Sequence, residues 1–139
     1  MYLIDTNVIS ELRNPRIAHP AVLSWAESLH SDDWFLSAVT ILELERGTLR
    51  ALRKDARKGA MLSSWLKERV LPEFNGRILP VDTEVALRCA ALHVPDPKPE
   101  RDAMIAATAL VHGLIVVTRN ISDFAGCGVS TLDPWRFQD

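Results

Sequence analysis

Short apolar runs alternate along the chain with longer stretches in which apolar residues recur every three or four positions. Tyr2-Leu3-Ile4 is a run that ends on Asp5, and Thr6-Asn7 then opens a helical pattern through Val8, Ile9 and Leu12, closed by Asn14-Pro15. A second helix is predicted from about His19 to His30, with Pro20 in its first turn and Val22, Leu23, Trp25, Ala26 and Leu29 on its apolar face. Trp34 to Ala38 reads as a strand. Thr40 and Glu43 follow in the Ser/Thr-x-x-Glu spacing of a capping box, so a long helix is expected to start there and to reach as far as Lys58. Gly59 is expected to separate it from a helix over Met61 to Val70, which Pro72 stops. Ile78 to Val81 is strand-like, and Asp82 caps a helix that runs through Val85, Leu87, Ala90 and Leu92. After the stiff loop Pro95-Asp96-Pro97-Lys98-Pro99, an alanine-rich helix over Glu100 to His112 stops at Gly113. Leu114 to Val117 is an all-apolar strand, and Val129 to Leu132 is a last one. This alternation predicts an α/β fold, a central parallel β-sheet flanked by helices on both faces.

Composition narrows the picture. With 139 residues, of which 47% are hydrophobic and 24% charged, one ordinary domain spanning residues 1–139 is expected. The longest apolar stretch, Ala103 to Val117, is broken by His112 and Gly113 and falls short of the roughly 20 residues that span a bilayer. Met1 to Asp5 has no basic lead or cleavage site, so the expectation is a cytoplasmic protein without a membrane partner. Cys89 and Cys127 belong to no Cys-x-x-Cys pair and read as small core residues. His19, His30, His93 and His112 are scattered and read as surface or packing residues. A net charge of −2 argues against holding nucleic acid through bulk electrostatics alone.

Four acids stand where ligand sites form in such sheets, at strand ends and helix starts. Asp5 ends the first strand, Glu43 lies in the first turn after the second, Asp102 follows the proline loop, and Asp123 follows the strand that ends at Thr118. Each could instead cap a helix or stabilise a turn. Together at one sheet edge they would repel, since two unit charges about 4 Å apart cost about 4 kcal/mol at an effective dielectric near 20. A cation is therefore expected. All-oxygen ligands without a His or Cys cluster favour Mg²⁺ or Mn²⁺ over zinc. Such an ion can activate water and neutralise charge in phosphodiester hydrolysis. Thr6, Asn7, Thr118 and Asn120 are placed to orient carboxylates or waters.

The segments Tyr2-Leu3-Ile4-Asp5-Thr6-Asn7, Thr40-x-x-Glu43-Leu44, Arg101-Asp102-Ala103-Met104-Ile105-Ala106-Ala107-Thr108-Ala109 and Thr118-Arg119-Asn120-x-x-Asp123-Phe124 resemble the PIN-domain family in order and spacing. The resemblance runs from Tyr2 to Pro134-Trp135 and is closest to the VapC-like and FitB-like toxins of bacterial type II toxin–antitoxin pairs. It implies a PIN-like fold and an endoribonuclease in which Asp5, Glu43, Asp102 and Asp123 bind Mg²⁺ or Mn²⁺, with Asn7, Thr118 and Asn120 as accessory polar residues. It further implies a homodimer, a cognate small DNA-binding antitoxin, a higher assembly with it, and contact with operator DNA through that antitoxin.

Arg46, Arg50, Arg53 and Arg57 recur at four, three and four residues, a helical stripe broadened by Lys54 and Lys58. It reads as a solvated face, and its functional alternative is a contact for RNA or for an acidic antitoxin segment. Trp25, Trp34, Trp65 and Trp135 read as core or interface anchors before base-stacking platforms. An aspartyl phosphatase also places an Asp at the end of its first strand, but its second Asp, two residues on, is Asn7 here. A DNA-directed nuclease and a non-catalytic RNA- or protein-binding module remain as alternatives, the second opposed by the intact acidic quartet.

Overall fold

The computed structural model describes residues 1–139. Five strands form a wholly parallel sheet in the order β3-β2-β1-β4-β5: β1 (Tyr2–Ile4), β2 (Trp34–Ser37), β3 (Ile78–Leu79), β4 (Ile115–Val117) and β5 (Thr131–Leu132). The helices are α1 (Thr6–Glu11), α2 (Pro20–Glu27), α3 (Ala38–Lys54), α4 (Ala56–Trp65), the single turn α5 (Leu71–Glu73), α6 (Thr83–Leu92) and α7 (Glu100–His112). No helix is long and apolar enough to cross a membrane.

The strands are apolar throughout because both faces of the sheet are covered. Ile4, Leu36 and Val117 join a core on one face with Val8, Val22, Trp25, Leu44 and Leu66. Leu3 and Val116 point the other way and pack with Ile105, Ala106 and Ala109 of α7. The small side chains of α7 let that helix lie close to the strands; Val85 and Cys89 of α6 then cover its outer side. Gly113 closes α7 at φ 67°, the left-handed conformation in which a Cβ is strained.

Several sequence expectations are corrected. Thr40 and Glu43 do not form a capping box: β2 runs directly into α3, and Ser37 is the cap, its hydroxyl accepting from the Val39 N–H. The long helix breaks at Asp55 rather than Gly59, because the Asp55 carboxylate accepts from the N–H groups of Arg57 and Lys58 and so starts α4. Gly59 lies inside α4, pressed on Leu52 of α3, where a Cβ would sit 2.6 Å from the Leu52 Cα. A π-helical turn over Leu66–Val70 follows, and Pro72 sits within α5 rather than ending the helix before it. The outer strands β3 and β5 are two residues each, shorter than the pattern suggests.

Candidate metal-dependent nuclease site

The chain winds outward from β1 through β2 to β3 and then returns to the other side of β1 as β4. The crevice beyond the ends of β1 and β4 is therefore the point where winding reverses, the usual ligand site of an open parallel sheet. Asp5 leaves β1 there and Thr118 leaves β4 beside it, joined by the Asp5 N–H bond to the Val117 carbonyl at 2.9 Å.

Asp5 is 7% exposed and held from three directions. Its Oδ1 accepts from the Thr6 N–H at 2.8 Å, and its Oδ2 accepts from the Thr118 hydroxyl at 2.7 Å and from Asn7 Nδ2 at 3.2 Å. Thr118, fully buried, accepts in turn from the Asn120 N–H, while the Asn7 carbonyl oxygen accepts from the Arg119 N–H. These bonds stitch the start of α1 to the loop after β4 and set the rotamer of Asp5. On the far wall, the Thr6 hydroxyl donates to Glu43 Oε1 at 2.8 Å, with the buried Thr40 hydroxyl 3.3 Å from that of Thr6. Glu43 is thus aimed across at α1 instead of back at its own helix start.

Asp102, in the first turn of α7, and Asp123, in a 3₁₀ turn over Ile121–Phe124, complete the group. The electrostatics record their closeness. The Asp102 carboxyl is pushed up to about 6, first by burial and then by the charges of Asp123, Asp5 and Glu43, with Arg101 opposing. Burial also raises Asp5, against the hydrogen bonds from Thr118 and Thr6 that favour its charged form, and Glu43 adds to the rise. Four carboxylates gathered in one crevice, two of them pushed up by burial and by their neighbours' charge and all offering oxygen, fit a hard divalent cation.

The one set of three side chains whose ligand atoms all lie within 4.8 Å of one another is elsewhere: Cys89, His93 and Glu100. His93 is therefore less scattered than the sequence suggests. Its Nδ1 accepts from the Lys98 N–H at 3.0 Å, which leaves the ring proton on Nε2, facing Cys89 Sγ at 3.8 Å and Glu100 at 3.6 Å. A metal needs a lone pair at Nε2 and a thiolate, whereas burial and the Glu100 charge push the Cys89 thiol up. The cluster acts as a clamp joining the end of α6 to the start of α7, two residues before Asp102. His19 caps α2, its Nδ1 accepting from the Ala21 N–H.

Of the arginine stripe, Arg46 lines the quartet's cleft beside Glu43 and Asp102. Arg50 and Arg53 lie exposed further along α3, and Arg57 and Lys58 belong to α4 because of the break at Asp55. Arg101, whose only signal in the sequence is adjacency to Asp102, also enters the site, its Nε 3.8 Å from Glu43 Oε2. Trp25 is buried, edge-on to Tyr2 and stacked on Trp34, and Arg119 lies over the Trp135 ring. Trp34 Nε1 is buried without a partner.

This parallel sheet with an acidic crevice at its winding reversal is the architecture of a small nuclease-type α/β domain. The PIN domain family profile matches residues 2–125, and the chain belongs to that family. It is 39% identical to Toxin FitB of Neisseria gonorrhoeae, over 98% of this chain and 99% of that one. It is 37% identical to VapC ribonuclease Y4jK of Sinorhizobium fredii, again over 98% and 99%. Among solved structures, that of FitAB bound to an IR36 DNA fragment superposes with a TM-score of 0.89 at 35% identity, covering 100% of this chain and 99% of that chain.

Proposed function

We propose that this protein is a Mg²⁺- or Mn²⁺-dependent endoribonuclease, the toxin of a type II toxin–antitoxin pair acting on cytoplasmic RNA. The observation that carries the site assignment is the convergence of Asp5, Glu43, Asp102 and Asp123 at the end of β1 and β4, where the charges of the other three join burial in pushing Asp102 up to about 6. The names of the relatives support the toxin and ribonuclease roles.

In this reading the four carboxylates hold the ion. When bound, it polarises a phosphate oxygen and lowers the pKa of the attacking water. The chain's own residues prepare the place. Thr118 and Asn7 hold the rotamer of Asp5 and favour its ionised form against burial, and Thr6 orients Glu43. Asn120, tied to Thr118 through its backbone N–H, has its side chain available to orient water or substrate. Arg101 and Arg46 supply the cations of the cleft, against which an incoming phosphate can lean.

The partners follow from the same relatives: a small DNA-binding antitoxin that covers the site, a homodimeric toxin, and operator DNA held through the antitoxin, as the DNA-bound FitAB structure suggests by analogy. Expression alone and together with a candidate antitoxin gene, followed by mapping of new RNA 5′ ends across the transcriptome, tests activity and target together. Discrete new ends that vanish on co-expression and in the Asp5→Asn variant support the proposal. An RNA population unchanged by the wild type rejects it.

A further inference from the structure

A second cleft opens on the opposite side of Glu43, between α1, α3 and α4. It measures about 310 Å³ and is bordered by Ser10, Arg13, Gly47, Lys58, Leu62 and Trp65. Thr6 and Glu43, joined by their 2.8 Å hydrogen bond, form the wall it shares with the acidic quartet. Arg13 and Lys58 make no ion pair within the chain, and Arg13 and Trp65 also border the adjoining depression that carries Arg57 and Arg69.

We propose that this α1–α3–α4 cleft receives the nucleotide flanking the scissile phosphate, with Arg13 and Lys58 on the RNA backbone and Trp65 and Leu62 against the base. It rests on the ribonuclease reading above and deepens it. A site of four carboxylates repels a polyanion, so cations are needed along the path by which the strand arrives. Sites for single-stranded RNA combine such a cationic groove with an aromatic surface that any base can face, and both are present within one side chain of Glu43. The volume is near the lower end for small-ligand sites, roughly 300 Å³, in keeping with one nucleotide rather than a folded partner. The sequence pattern hid this grouping, because Arg57 and Lys58 read as an extension of the α3 stripe until the break at Asp55 turned them toward α1.

Gly47 provides the test. A Cβ at this position meets nothing within 4 Å and Gly47 borders the cleft, so Gly47→Leu projects a side chain into it from the α3 side, and it removes a glycine from a helix interior. The variant is expected to melt no lower than the wild type, to bind Mn²⁺ equally well, and to lose about tenfold or more in kcat/KM on single-stranded RNA, chiefly through KM. In an Asp5→Asn background, which separates binding from cleavage, Arg13→Gln with Lys58→Gln should lower the salt dependence of RNA binding by about 1.4 in log K per log salt, since each contact to a single strand contributes about 0.7. Gly47→Leu that cleaves with wild-type KM, or an unchanged salt slope, overturns the proposal. Loss of antitoxin binding by Gly47→Leu with RNA cleavage intact also overturns it, assigning the cleft to the protein partner. A wild type that cuts no RNA and binds no Mn²⁺ would instead refute the nuclease reading itself.

Discussion

At the scale of single residues, the hydroxyl of Thr118 is what ties Asp5 to the loop after β4. That hydroxyl, fully buried, donates to Asp5 and accepts from the Asn120 N–H. Thr118→Val keeps the shape but removes the shortest of the three bonds to Asp5 and the acceptor of the Asn120 N–H, and should destabilise the protein by about 1.5–3 kcal/mol, the range for a buried bond to a charged group. It should also weaken Mn²⁺ binding about 10- to 100-fold through the freed Asp5 side chain, measured by isothermal titration. Asp102 yields a pH prediction whose sign runs against ordinary carboxylates. Its pKa is raised from 3.8 to about 6 on folding, so between those values the folded chain holds a proton that the unfolded chain has lost. Without metal, this group therefore stabilises the fold below its unfolded pKa, and the contribution is lost as pH rises through 6. Thermal melts from pH 4.5 to 7.5 should show this component, which Asp102→Asn removes and saturating Mg²⁺ suppresses. The four acids are legible in the sequence because strand ends and helix starts mark them. The bond from Thr6 to Glu43 is not, since it joins residues 37 apart whose local pattern suggests a helix cap for each.

At the scale of elements, periodicity identifies every strand and every helix of two turns or more, and misplaces one boundary of functional weight. Gly59 reads as a helix stop because glycine so often is one. Its actual role is close approach: α4 crosses α3 at Gly59 on Leu52, and the turn between the two helices comes from Asp55 capping Arg57 and Lys58. Packing of this kind is set by a partner segment, which no local pattern encodes. Gly59→Ala places a methyl 2.6 Å from the Leu52 backbone. It should destabilise the protein by about 1–3 kcal/mol despite alanine's better helix propensity, and urea unfolding decides between the two effects. Because α4 also carries Lys58 and Trp65 to the second cleft, the same variant should raise KM for RNA while leaving Mn²⁺ affinity near that of the wild type.

At the scale of the molecule, the order β3-β2-β1-β4-β5 brings together four acids that the chain scatters over 119 positions, from Asp5 to Asp123 counted inclusively. A parallel sheet was legible from all-apolar strands alternating with helices; the order of its strands was not, because short apolar runs carry no register of their own. Gathering these charges costs stability, and an ion held among them would restore it: on the proposed reading, Mg²⁺ at 100 times its Kd should stabilise the fold by about 2.7 kcal/mol, read as a rise in melting temperature. The most direct measurement of the central claim is cleavage of single-stranded RNA by the purified protein, with Mg²⁺ or with EDTA, alongside Asp5→Asn and Asp102→Asn. Internal cuts by the metal-supplied wild type, abolished by EDTA and by either substitution while the variants melt cooperatively, are the predicted result. Cleavage that survives in EDTA, or in both variants, would contradict the assignment of these carboxylates as the metal site of a ribonuclease.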